Sequence, residues 1–369
     1  MNSEAIHRLQ YLQKNLEHEQ NQYLGYPNAH DFNFENLAPF LNLVINNIGD
    51  PFEGNSGINT CDIETEVIRT FANWVHLADP WGYITNGSTE SNMRAILLGK
   101  QRFPDAVVIC SRDSHYSIRK ICNTLDLKCI VVESQSNGEI SYDHFHQVIK
   151  SLKQYPLIIC ANIGTTMKGA IDSIKTIEDH LRCEGIQNYH LHCDAAQFGG
   201  YLPFLDLGEI FDFRNNIHSM SVSGHKFFGS PIPCGIFVTK STLIKEQKKP
   251  IVEYIGSSDS TISGSRNGLT PLILWQSFQT HGTHGFRERA CEMMALKDYA
   301  LNQLSTLKWP SWANNHSNTV VIARPHDKIA RKWKLAVEGA ISHVITVPGV
   351  TRHKIDEFTR DLADSPIVY

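Results

Sequence analysis

The run Ser221-Val222-Ser223-Gly224-His225-Lys226-Phe227 sets a lysine directly after an apolar stretch and a Gly-His turn. A lysine so placed can form a Schiff base with a carbonyl cofactor, provided its surroundings depress its pKa. The plain alternative is a surface lysine on a loop. His192-Cys193-Asp194-Ala195-Ala196 puts a carboxylate just past another apolar run. Opposite a ring nitrogen, a carboxylate keeps that nitrogen protonated, so the ring can accept electrons. Ala195 and Ala196 are small enough to pack against a flat ring. The alternative for Asp194 is a turn cap. Asp194 precedes Lys226 by 32 positions, room for one crossover and one strand.

Thr85-Asn86-Gly87-Ser88-Thr89-Glu90-Ser91-Asn92 joins an apolar run to a helical pattern. Gly87, Ser88 and Thr89 at a helix start offer backbone N–H groups, hydroxyls and the positive end of the helix dipole to a phosphate. An ordinary N-cap is the competing reading. Neither a Walker loop nor a Gly-x-Gly-x-x-Gly fingerprint occurs. His115, in Ser111-Arg112-Asp113-Ser114-His115-Tyr116-Ser117, can stack on a pyridine ring and touch substrate. In Asn162-Ile163-Gly164-Thr165-Thr166 the threonines can contact a cofactor's phenolic oxygen or a substrate carboxylate, or simply shape the loop. Thr261–Gly268 is rich in glycine and hydroxyls, with one arginine; it reads as an anion loop or a subunit-contact loop. His192, His281 and His284, among 18 histidines, lack supporting context and are read as incidental.

These segments need strands to position them. From residue 81 onward short apolar runs alternate with helix-length segments. The runs are Trp81–Thr85, Ala106–Cys110, Cys129–Glu133, Leu157–Ala161, His190–Cys193, Ser219–Ser223 and Gly235–Thr239. The segments between them include 89–102, 115–125, 142–153 and 173–184. That alternation predicts an α/β fold: a mostly parallel sheet with helices on both faces. Ligands of such sheets lie beyond the carboxyl ends of the strands, where the chemistry-bearing segments fall. Ile6, Leu9, Leu12 and Leu16 predict an amphipathic helix over 3–22. Residues 23–60 read as irregular and 62–77 as helical. A long helix over 286–304 and a strand at Thr319–Ala323 open a small α+β tail. The expected domains are 1–60, 61–280 and 281–369, with 61–280 holding the cofactor.

A chain of 369 residues with 41% hydrophobic and 20% charged residues has globular composition. A net charge of −4 without a basic tract argues against nucleic acid as a partner. The nine cysteines show no Cys-x-x-Cys spacing, so neither a metal site nor a disulfide framework is expected. The polar N-terminus does not read as a signal peptide, and no apolar run reaches the ~20 residues that span a bilayer. A cytoplasmic protein is expected.

A phosphate loop, a stacking histidine, a ring aspartate and a Schiff-base lysine, in one order, point to pyridoxal phosphate. With these motifs in place, the sequence resembles the group II pyridoxal-phosphate-dependent decarboxylases, on the aspartate-aminotransferase type of fold (type I). Within them it is most similar to bacterial histidine decarboxylases and the related plant serine decarboxylases. The likeness runs from Gly25-Tyr26-Pro27 to Ser342-His343-Val344. It is carried by Trp81–Gly87, Asp113–Ser117, Asn162–Thr166, Ser223–Lys226 and Gly264–Gly268.

The resemblance implies Lys226 as the cofactor lysine, Asp194 as the ring-nitrogen partner and His115 stacked on the ring. Ser88, Thr89, Ser223 and His225 are the implied phosphate contacts, with Gly87, Ala196 and Thr165 also against the cofactor. His115, Thr166 and Ser230 are expected at the substrate. Tyr254, 28 positions after Lys226, falls near the group's mobile catalytic tyrosine. With Lys226 and His115 it is a candidate proton donor. A homodimer or homotetramer with shared active sites is implied, with Ser263–Gly268 approaching the neighbour's site.

Some residues depart from the pattern. Ser88-Thr89-Glu90-Ser91-Asn92 stands where the family usually has Gly-Thr-Glu-Gly-Asn. Gln197 and Phe198 replace smaller or apolar residues, and Ser258 and Leu269 fall where histidine is common. Ser230-Pro231-Ile232-Pro233-Cys234-Gly235 favours histidine as substrate over serine or a diamino acid. An aminotransferase or lyase on the same fold and an inactive regulator are the remaining readings.

Overall fold

In the computed structural model, residues 1–54, 57–207, 211–247, 250–363 and 365–367 are described. The chain opens with helix α1 (Ser3–Asn21), a short strand β1 (Asn46–Ile48) and helix α2 (Cys61–Trp74). Then strands and helices alternate: β2 (Pro80–Thr85), α3 (Ser88–Arg102), β3 (Val107–Ser111), α4 (Ser117–Thr124), β4 (Cys129–Val132), α5 (Tyr142–Ser151), β5 (Leu157–Asn162), α6 (Ile174–Cys183) and β6 (Tyr189–Asp194). Strands β7 (Ser219–Ser223) and β8 (Gly235–Lys240) and the one-turn α7 (Thr242–Lys245) follow. Strand β9 (Ser265–Asn267) pairs antiparallel with β1.

The seven-stranded sheet has the order β2-β8-β7-β6-β5-β3-β4. The β3–β4, β3–β5, β5–β6 and β6–β7 pairs are parallel. Strand β8 runs against both of its neighbours. The sheet is therefore mostly parallel, and its strands read as apolar runs because helices cover both faces. Strand β5 is buried along its whole length. Ser141 and Ser173 cap α5 and α6, their side chains accepting from the His144 and Thr176 amides. Helix α3 sits unusually close to the sheet. A Cβ on Gly99 would stand 2.8 Å from Ile158 Cγ1. This approach carries the start of α3 to the strand ends.

Two compact units emerge: Asn28–Cys291, which holds the large sheet, and Met1–Pro27 with Glu292–Tyr369. The boundary near 291 and the pairing of the first residues with the C-terminal ones differ from the three-part division read from sequence. The reason is Leu24. Its amide donates to Trp333 O, its carbonyl accepts from the Ile345 amide, and its side chain is buried with Trp333, Val344 and Phe358. Helix α8 (Leu269–Thr306) starts earlier than the 286–304 pattern indicates, and breaks at Gly282, where φ is 55°. The second unit carries β10 (Ser311–Trp312), β11 (Thr319–Ala323), α9 (Asp327–Lys332), β12 (Val337–Glu338), β13 (Ile341–Ile345) and α10 (Arg352–Ala363). Its antiparallel sheet has the order β10-β11-β13-β12, so this tail is α+β, as expected. Among the described residues, no helix is long and apolar enough to cross a membrane.

Candidate active site

At the carboxyl edge of the large sheet lies a cavity of about 580 Å³, within the ~300–1,000 Å³ usual for small-molecule sites. Lys226, Asp194, His115, Gly87, Ser88, Thr89, Ala196, Thr165, Thr166, Ser223 and His225 all line it. Residues spread over some 140 positions of sequence meet here because β2, β3, β5, β6 and β7 end at one edge.

Lys226 follows β7 through the Gly224-His225 turn and is partly buried. Burial lowers its pKa to about 8, against the opposing pull of Asp194. Asp194, the last residue of β6, is buried. Its Oδ2 accepts from Asn92 Nδ2 at 2.8 Å, and its Oδ1 accepts from the Ala196 amide at 3.2 Å. His115 Nδ1 lies 2.7 Å from Ser117 Oγ and accepts from the Ser117 amide at 3.4 Å. That assigns the ring proton to Nε2. Burial lowers the His115 pKa, and Lys226 adds to the effect.

Gly87, with φ 140°, is the N-cap of α3, and the hydroxyls of Ser88 and Ser223 lie 2.8 Å apart beside it. The start of α3, where the Glu90 amide already donates to Gly87 O at 2.9 Å, sets the Ser88 and Thr89 amides at the cavity as a candidate anion cradle. The Glu90 carboxylate braces the turn. It accepts from the Asn86 amide at 3.0 Å and Asn86 Nδ2 at 2.8 Å, and from Tyr83 and Ser263 hydroxyls at 3.2 Å each. Thr165 is held inward, its Oγ1 accepting from the Ala170 amide at 2.9 Å, while Thr166 is exposed at the mouth. His225 Nδ1 lies 2.9 Å from Cys234 O.

The structure does not bring every expected residue to this cavity. Ser230 is buried behind it, donating to Ile232 O at 2.7 Å. Tyr254 is 82% exposed and does not line the cavity. Ser263, expected near a neighbour's site, lines the cavity of its own chain. Arg266 is no anion receptor. Its NH2 donates to Glu64 Oε2 at 3.0 Å and its NH1 to Gly49 O at 2.9 Å, both deep in the core. Of the departing residues, Gln197 lines the cavity and Phe198 packs under Gly164, whereas Ser258 and Leu269 lie elsewhere.

Sequence reasoning missed Asn86, Glu90 and Asn92, which line the cavity. They sit in the segment already singled out, but nothing in their spacing gives their partners. His146, Cys183 and Glu184 bring three possible metal donors within 4.8 Å of one another. Lys153 already pairs with Glu184, and none of the three lines the cavity.

The donor set fits pyridoxal phosphate: an amine of lowered pKa, a buried carboxylate, an imidazole and an anion cradle share one cavity. Comparison with known proteins agrees. The "Pyridoxal-dependent decarboxylase conserved domain" matches residues 16–309. A histidine decarboxylase of Morganella morganii is 43% identical over 343 residues, 91% of this chain and 89% of the relative. Serine decarboxylase 2 of Oryza sativa subsp. japonica is 40% identical over 356 residues, 95% of this chain and 76% of the relative. The crystal structure of an L-methionine decarboxylase from Streptomyces sp. 590 superposes with a TM-score of 0.90 at 25% identity, covering 99% of this chain and 96% of that one. The fold is thus the type I architecture implied by the resemblance, and its mostly parallel sheet is the one expected from the alternation of strands and helices.

Proposed function

The chain belongs to the pyridoxal-dependent decarboxylase family, and from that premise we propose that it converts L-histidine to histamine and carbon dioxide. Its cofactor is pyridoxal phosphate and its reaction class is amino-acid decarboxylation. The observation that carries histidine is the 43% identity to the Morganella histidine decarboxylase over nearly the whole of both chains. A polar wall of Asn86, Glu90, Gln197 and Ser263 suits a side chain that hydrogen-bonds. The 40% identity to the rice serine decarboxylase favours serine as the second reading.

When bound, pyridoxal phosphate supplies a carbonyl for the amine and a protonated ring that withdraws electrons. Lys226, with a pKa of about 8, presents part of its population as free amine near neutral pH, as attack on a carbonyl requires. Asp194 would face the ring nitrogen. Ser88, Thr89, Ser223 and His225, with the Gly87 turn, would hold the phosphate. Ala196, Thr165 and His115 would pack against the ring, and Thr166, at the mouth, would meet the substrate. A proton must finally reach the α-carbon. Lys226 and His115 are within the cavity for that step, whereas Tyr254 would have to move or serve another subunit.

The reading includes a homodimer, with a homotetramer as the larger alternative, in the cytoplasm. Support comes from α1, none of whose residues is buried, although Ile6, Leu9, Leu12 and Leu16 form an apolar stripe. It comes also from nine free cysteines, as a reducing compartment favours.

The test is release of carbon dioxide and amine by the purified, cofactor-loaded protein from a panel of amino acids. Histamine formed in step with carbon dioxide is the expected result. Ethanolamine from serine would move the substrate and keep the chemistry. Consumption of a keto acid without carbon dioxide would replace the reaction with transamination.

A further inference from the structure

Behind Asp194 runs a buried chain of polar side chains that the reaction itself does not use. Asn92 Nδ2 donates to Asp194 Oδ2 at 2.8 Å. Asn92 Oδ1 lies 2.9 Å from His192 Nε2 and also takes the Ser221 hydroxyl. His192 Nδ1 lies 3.0 Å from Ser219 Oγ, which lies 2.9 Å from His190 Nε2. His190 Nδ1 in turn faces Arg102 NH1 at 3.4 Å. Asn92, His190, His192 and Ser219 are all at most 1% exposed.

The proton order of this chain can be worked out from either end. An ionised carboxylate only accepts, so Asn92 meets it with its NH2 and must accept through Oδ1. His192 Nε2 therefore carries the ring proton. Burial holds the His192 pKa at about 4, so the ring is neutral. Nδ1 lies 3.0 Å from Ser219 Oγ and 3.2 Å from Ser219 O, and because Nε2 already carries the ring's one proton, Nδ1 accepts from the hydroxyl. Ser219 Oγ then accepts from His190 Nε2–H. His190, also kept neutral by burial, accepts at Nδ1. Its partner there is Arg102, which has no acceptor to offer. Both ends demand the same order, and every donor points toward Asp194. Reversing the chain would turn the Asn92 carbonyl onto the carboxylate, acceptor against acceptor, unless Asp194 took up a proton. Such chains polarise one another in a low dielectric.

We propose that Asn92 and His192 are positioning residues that hold the Asp194 carboxylate aimed into the cavity, through a one-directional hydrogen-bond chain that begins at Arg102. The proposal rests on Asp194 as the partner of the cofactor's ring nitrogen.

The experiment compares His192→Leu, His192→Gln, Ser219→Ala and Asp194→Asn holoenzymes. It reads kcat and KM, the cofactor dissociation constant, and the cofactor's absorbance between pH 5 and 9. Loss of a buried hydrogen bond in such a network predicts a fall in kcat of roughly tenfold to a hundredfold for His192→Leu, with KM little changed. Its absorbance should change with pH over a range where the parent's is fixed. His192→Gln, which keeps an N–H for Asn92, should recover most of both. Ser219→Ala, a smaller change that leaves both rings in place, should give a lesser loss of the same kind and covers the case in which His192→Leu fails to fold. An effect in Asp194→Asn with none in His192→Leu or Ser219→Ala would overturn the positioning chain. No effect in Asp194→Asn would instead overturn the ring-partner reading beneath it.

Discussion

Gly235 of β8 lies so close to Gly87 that a Cβ on it would stand 2.8 Å from the Gly87 carbonyl carbon and 2.5 Å from the Thr85 hydroxyl. Gly87 is the N-cap of α3 and sets the direction of the first-turn amides. A methyl group at 235 must therefore displace the anion cradle rather than a flexible side chain. Overpacking of this kind costs about 1–3 kcal/mol. Gly235→Ala is expected to weaken cofactor binding by about tenfold or more, measured by equilibrium dialysis of the cofactor against apoprotein. Unchanged affinity would mean that the phosphate is held somewhere other than at Gly87 and Ser88.

Lys226 gives a stability signature that needs no substrate. Its folded pKa, about 8, lies below the ordinary 10.5, mainly through burial. The unfolded chain thus binds more protons between about pH 8 and 10.5, and stability rises with pH through that window. Below pH 8 the penalty of burying the charged amine is complete. In apoprotein, Lys226→Met should be more stable than the parent at pH 7, by on the order of 1–3 kcal/mol. The advantage should shrink toward pH 10.5. Urea unfolding at pH 7, 9 and 10.5 checks the sign; a gap that widened with pH would contradict it.

The sheet was legible because buried strands carry apolar runs whose ends the next turn marks. The run Ser219–Ser223 coincides with β7, and the segments after five of the seven runs reach the cavity, those after β4 and β8 being the exceptions. What stayed hidden depends on contacts far apart in sequence. Asn92 and His192 are 100 positions apart, and His192 alone looks like any core histidine. The β1–β9 pair is three residues long, too short for a period, yet it carries Arg266 into the core. There the arginine meets Glu64 and so loses the anion-binding role its glycine-rich surroundings invited. The start of α8 was missed because Gly282 and Gly285 interrupt the helical pattern.

The Glu64–Arg266 pair makes a second stability prediction. Glu64 Oε2 also accepts from Asn47 Nδ2 at 2.9 Å, and Oε1 accepts from the Ile84 amide at 2.8 Å, so the carboxylate ties β1 and β2 together. Both side chains are at most 2% exposed. Arg266→Met leaves that charge unpaired in the core and should cost about 3–5 kcal/mol. Glu64→Gln with Arg266→Met should cost less than the single arginine change, since the leftover charge is gone. A double-mutant cycle by urea unfolding measures the coupling. Equal losses for Arg266→Met with and without Glu64→Gln would show that the pair acts by packing alone.

His218 tests how far the protein's acid sensitivity comes from its buried imidazoles. Its Nδ1 accepts from the Leu191 amide at 3.1 Å, and its ring lies 5.2 Å from that of His190. Burial, with Arg102 and Lys240 nearby, lowers its pKa to about 3 from the ordinary 6.5. Between those values the unfolded chain binds the extra proton, so stability falls as pH drops below 6.5 and the loss is complete near pH 3. Replacing the ring with an amide removes that linkage while keeping an acceptor for Leu191. His218→Gln is expected to lose less stability than the parent between pH 7 and 5, the difference reaching about 1–2 kcal/mol at pH 5. Thermal unfolding across that range reads it directly. Parallel curves for parent and variant would show that His218 does not contribute to the acid sensitivity.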